Sequence, residues 1–241
     1  MYTILIGHKK ILTLDGIEYE IGHTIQETYR IKKGNDIIGE IENPGEIFNL
    51  HTLTEKTKHI IHRNLNELQR NKLVDGYALD FYDKGGGEIT EVGKIIRECK
   101  YEKKEDFPQN IIEKTGTAIK ETIKKEFDCI TFIPPTQSGD KVKKLTEELG
   151  RILEIPLVEV MINVTERPQK YKRVIQPNRK VQILAQGYMD TIKDKSILLI
   201  DDVCDSGDSL RAAGEVLTDW HARLIVPVVL ARTYKTEPRP E

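Results

Sequence analysis

Ile197-Leu198-Leu199-Ile200-Asp201-Asp202-Val203-Cys204-Asp205-Ser206-Gly207-Asp208-Ser209 is the stretch on which the fold turns. Four aliphatic residues in a row predict a strand buried on both faces, as found inside a parallel sheet. Two aspartates stand at its carboxyl end, the edge at which open α/β sheets place their ligands. A short loop with a central glycine and two hydroxyls follows. It feeds a helix whose Leu210, Ala213, Val216, Leu217 and Trp220 share one face. Such a loop at a helix N-terminus offers backbone N–H groups and the positive end of the dipole, which suits a phosphate.

A second strand–loop–helix unit lies upstream. Cys129 to Ile133 predicts a buried strand opening into Pro134-Pro135-Thr136-Gln137-Ser138-Gly139. Val142, Leu145, Leu149 and Ile152 then recur at helical spacing, so this loop could hold a second anion. Pro156 to Met161 predicts another strand. The stretch 165–180 has no clean period and carries Arg167, Lys170, Lys172, Arg173, Arg179 and Lys180. Leu224 to Leu230 reads as a last strand, and its Pro227 predicts an edge position or a bulge.

The signature stretch resembles the phosphoribosyl pyrophosphate (PRPP) motif of the type I phosphoribosyltransferases: hydrophobic strand, acidic pair, then a hydroxyl-Gly-x-hydroxyl loop. The resemblance implies an α/β fold with a mainly parallel sheet flanked by helices. It implies transfer of the 5-phosphoribosyl group to a nitrogen acceptor, a nucleobase by preference, with release of pyrophosphate. Asp201 and Asp202 would hold the ribose hydroxyls and bind Mg²⁺ directly or through water. Asp205, Ser206, Gly207, Asp208 and Ser209 would cradle the 5′-phosphate, with Asp205 also a candidate general base. Thr136, Gln137, Ser138 and Gly139 would take the pyrophosphate, and Arg167, Lys170, Lys172 and Arg173 would form a closing lid. Lys100-Tyr101, Pro168-Gln169, Gln186-Gly187-Tyr188 and the Leu-Ala-Arg-Thr end at Thr233 are similar to the ComF-type branch. That likeness spans about residues 77–235 and is loose outside the PRPP motif. The cysteine zinc finger with which ComF proteins begin is missing. Asp205 departs from the usual ComF threonine, and Asp208 sets a carboxylate beside the expected phosphate.

The remaining sequence sets the frame. Residues 1–75 read as a β-rich appendage with a helix, 76–235 as the phosphoribosyltransferase-like domain and 236–241 as a flexible tail. Asp15-Gly16 and Gly34-Asn35-Asp36 mark two hairpin turns. Thr52 and Glu55 stand at capping-box spacing before a helix reaching about Lys72. His59 and His62 share a side of it without a metal-ligand spacing around them. A net charge of −2 gives no global pull toward nucleic acid or anionic membrane. Three cysteines without CxxC spacing argue against a disulfide framework. No apolar run reaches spanning length and no signal-peptide pattern opens the chain, so a cytoplasmic protein is expected. The rival reading is a catalytically silent PRPP or nucleotide sensor, or a nucleic-acid partner using the basic 167–180 stretch. A homodimer is the assembly that the resemblance implies.

Overall fold

The structure, a computed structural model, describes residues 1–4, 10–23, 29–34, 36–42, 44–68, 73–84, 88–102, 105–135, 139–163, 183–185, 187 and 189–233. Its larger sheet holds β1 (Tyr2–Ile4), β6 (Gly76–Phe81), β11 (Leu224–Arg232), β10 (Ser196–Cys204) and β7 (Cys129–Phe132), in that spatial order. β6, β11, β10 and β7 run parallel, and β1 is antiparallel to β6. A second, antiparallel sheet carries β2 (Lys10–Leu14), β3 (Ile17–His23), β4 (Tyr29–Lys33) and β5 (Asp36–Ile41). The class is therefore the expected one, a mainly parallel α/β sheet flanked by helices with a β-rich N-terminal part.

The helices are α1 (Glu55–Leu68), α2 (Glu91–Arg97), α3 (Gln109–Thr122), α4 (Lys141–Leu153) and α5 (Asp208–Asp219). Strand alternation sorts α2 to α5 onto the two faces of the parallel sheet. Leu198 and Ile200 of β10 pack with Val92 and Ile96 of α2, Ile111, Ile112 and Ile119 of α3, and Leu145 and Leu149 of α4. Ile197 and Leu199 pack on the other side with Leu210, Ala213 and Leu217 of α5. Burying these four β10 side chains contributes roughly 6–12 kcal/mol, enough to fix a strand that ends in two carboxylates. The N-terminal sheet has its own core, in which Tyr19, Ile21, Tyr29 and Ile31 meet Ile61 and Leu65 of α1.

Connectivity locates the functional edge. After β7 and α4 the chain pairs Leu157 with Ile130, on the side of β7 away from β10. From β10 it continues to β11 on the opposite side. The topological switch point thus falls between β7 and β10, at whose carboxyl ends an α/β sheet opens a crevice. No helix among the described residues is long and apolar enough to cross a membrane.

Two local expectations change, and one is met in its second form. Pro227 lies in an interior strand, where the expected edge or bulge takes the form of an irregular ladder. It is accommodated because the β6 side is interrupted there: Leu73 bridges Ile225, and regular pairing resumes at Val228–Tyr77. The cap of α1 is Thr54, whose Oγ1 accepts from the Thr57 amide at 3.3 Å, while Glu55 is drawn to Lys58 at 2.8 Å. Only Leu157 of the strand expected over 156–161 pairs with β7, and Met161–Asn163 (β8) instead forms a two-stranded ribbon with Ile183–Ala185 (β9).

Candidate functional site

The carboxyl end of β10 brings the acidic pair to the switch point. Asp202 is buried, its side chain 7% exposed, and both its oxygens meet one ammonium: Lys100 Nζ lies 2.9 Å from Oδ1 and 2.8 Å from Oδ2. Asp201 is half-buried and its Oδ1 accepts from the Asp202 amide at 2.9 Å. Burial and then the neighbouring Asp202 charge push Asp201 up to about 8, against the opposing pull of Lys100 and the Asp202 amide. Burial works against the charge on Lys100, but Asp202 outweighs it and holds Lys100 above its ordinary value.

Lys100 is placed by a π-helical turn, Glu98–Glu102, that continues α2. Inserted π turns re-aim side chains and recur at functional sites. α2 itself is seated on the end of β6. Thr90 Oγ1 caps it by accepting from the Gly93 amide at 3.0 Å while donating to the Phe81 carbonyl at 2.5 Å. Across the turn, Lys141 Nζ donates to the carbonyls of Cys99 at 2.8 Å and Glu105 at 2.5 Å. Lys141 opens α4, the helix after the β7 loop, so both strand–loop–helix units bear on the acidic pair.

The loop beyond the pair turns on Gly207, whose φ of +78° caps α5 in a left-handed conformation that a residue with a Cβ resists. Asp205 is exposed and its Oδ1 accepts from Thr233 Oγ1 at 2.9 Å, while the Thr233 amide donates to the Cys204 carbonyl at 3.0 Å. The end of β11 therefore braces the loop. Asp208 does not simply face solvent. Its carboxylate accepts from Ser206 Oγ at 2.6 Å and pairs with Arg211, whose Nη2 also donates to the Ser206 carbonyl at 2.9 Å. Ser209 is half-buried at the first turn of α5.

Of the expected pyrophosphate loop, Gly139 is exposed just before α4, and Thr136, Gln137 and Ser138 lie outside the described residues. So do Arg167, Lys170, Lys172 and Arg173, Gln186 and Tyr188, and the tail from 236. β8 and β9 pair Asn163 with Ile183, the described residues on either side of 164–182. Lys100 and Thr233 are the additions that the structure makes. Lys100 stands 102 residues from its partner, so no local spacing joins them, although its Lys-Tyr pair is one of the features resembling the ComF branch.

Among the described residues, no group of three or more His, Cys, Asp or Glu side chains is gathered for a metal ion. Two adjacent carboxylates at a strand end do fit Mg²⁺ in its usual habit of keeping waters and substrate oxygens around one or two protein ligands.

No family model and no curated protein matches the chain. Among solved structures, a purine phosphoribosyltransferase from Pyrococcus horikoshii is similar at 20% identity and a TM-score of 0.36, over 55% of this chain and 91% of that one. A Neisseria gonorrhoeae protein solved with bound ppGpp is similar at 16% identity and a TM-score of 0.38, over 54% of this chain and 72% of that one. The glutamine PRPP amidotransferase of B. subtilis, solved with ADP and GMP, is similar at 14% identity and a TM-score of 0.37, over 50% of this chain. The match covers 26% of the amidotransferase, about a quarter of its length.

Proposed function

We propose that the chain binds PRPP and transfers its phosphoribosyl group to a nitrogen acceptor, releasing pyrophosphate. One observation carries this reading: an acidic pair and a Gly207-centred loop follow one another from β10 into α5 at the topological switch point. In this reading the carboxylate of Asp202, and that of Asp201 once it has given up its proton, take the two ribose hydroxyls and favour positive charge developing at the ribose. The backbone N–H groups at the start of α5 and the hydroxyls of Ser206 and Ser209 receive the 5′-phosphate, once Asp208 yields Ser206. Asp205, braced by Thr233, is the candidate base toward the acceptor. Thr136 to Gly139 receive the pyrophosphate, and the basic residues from Arg167 to Arg173 close over it. Asp201 and Asp202 would also hold Mg²⁺, which when bound offsets the charge of the pyrophosphate.

A turnover-free PRPP or nucleotide sensor is the second reading, favoured by the way Lys100 and Arg211 already engage Asp202 and Asp208. Pyrophosphate release from Mg²⁺·PRPP, measured with purine, pyrimidine and small-amine acceptors, separates the two. Release that requires one acceptor and vanishes in Asp201→Asn/Asp202→Asn establishes the transferase. Folded wild-type protein that binds PRPP but releases nothing with any acceptor establishes the sensor, and absence of PRPP binding refutes the transferase and leaves only a nucleotide sensor, which nucleotide-binding measurements then decide.

A further inference from the structure

From the Lys100–Asp202 contact we infer that Lys100 is a resident counter-cation competing with divalent metal for the acidic pair, so that metal entry requires its ammonium to leave. This deepens the proposed function, since it concerns the metal expected at the same site.

The geometry is specific. Nζ sits within 2.9 Å of both Asp202 oxygens, so a single ammonium covers the carboxylate edge that a metal would use. A divalent ion bound to those oxygens would lie within a few ångströms of the ammonium, where like charges repel strongly in a partly buried site. The ammonium is also held in place rather than left to wander. Its side chain is 31% exposed, and its turn is pinned through the Cys99 carbonyl, which accepts from Lys141. Asp202 is charge-compensated without metal, which is how a buried carboxylate is tolerated beside Asp201. The arrangement makes the free protein a poor metal binder and ties metal uptake to whatever displaces Lys100. A ligand that brings its own phosphate oxygens supplies the alternative partner for that ammonium.

The test is Mg²⁺ binding in the absence of any other ligand, followed as thermal stabilisation and by titration calorimetry. Lys100→Met should bind Mg²⁺ about tenfold or more tighter than wild type. Lys100→Arg should restore weak binding, and Asp202→Asn in the Lys100→Met background should abolish the gain. A folded Lys100→Met protein with unchanged Mg²⁺ affinity overturns the inference. Should that variant fail to fold, Lys141→Met decides: it keeps the ammonium but loosens its turn, and a smaller gain in affinity supports the inference while none overturns it. These readouts need no PRPP. Tighter Mg²⁺ binding by Lys100→Met, beside wild-type protein that releases no pyrophosphate with any acceptor, would therefore refute the enzyme reading and leave the inference standing.

Discussion

Asp201 and Asp202 are neighbours held by different means. Asp202 gives both oxygens to an ammonium, whereas Asp201 is met by a single backbone amide and lies near the charge of Asp202. The raised titration of Asp201 makes its ionised form a burden on the folded state. Below the ordinary carboxylate range both folded and unfolded chains hold the proton, and nothing is lost. As pH rises above about 4 the unfolded chain releases it first, so stability falls until the folded carboxyl ionises at about 8. Asp201→Asn lacks that penalty. It should melt higher than wild type at pH 7–8, by roughly 1–3 kcal/mol, with the advantage shrinking toward zero near pH 4. Melting curves at several pH values check this, and an advantage independent of pH would point to packing instead. The acidic pair and its loop were legible because strand, carboxylates and glycine follow one another along the chain. Lys100 was legible only through a loose likeness, because its role arises from a contact that spacing does not encode.

At the scale of elements, the site depends on how closely α2 sits on the end of β6. A Cβ on Gly93 would stand 2.0 Å from the Tyr82 carbonyl oxygen, a backbone atom that cannot swing aside. Gly93→Ala must therefore lift α2 and carry the π turn with it. The expected loss is about 1–3 kcal/mol in urea unfolding, together with weaker PRPP binding, while Thr90→Ser, which keeps the capping oxygen, should change neither much. Helix periodicity made α4 and α5 readable, since each shows its apolar stripe in sequence. The capping-box spacing of Thr52 and Glu55 misled because Thr54 offers an equally good oxygen two residues on and Lys58 competes for Glu55. Pro227 was a sound signal of an edge or a bulge: its missing N–H falls where the β6 ladder breaks, although the strand is interior. Which of the two held depends on pairing across the sheet, which is not a local property and is not written in the flanking residues.

For the whole molecule, the clusters divide the chain's stability. The N-terminal core of Tyr19, Ile31 and Leu65 is distinct from the two cores on either face of the parallel sheet, and Trp220 packs against the face that holds α5. Ile31→Ala, at a fully buried position, should destabilise the antiparallel sheet by about 2–5 kcal/mol. Far-UV circular dichroism should then show an earlier transition while Trp220 fluorescence unfolds near its original midpoint. Coincident early transitions would instead mean that both parts unfold as one unit. The three free cysteines, Cys99, Cys129 and Cys204, are all buried, and Cys204 closes β10 directly before the Gly207 loop. Thiol-modifying reagents thus meet a molecule whose sulfurs become reachable only when it breathes. Cys204 becomes a chemical clock for openings at the end of β10, with Cys129, deep in the neighbouring strand, as its slow internal reference.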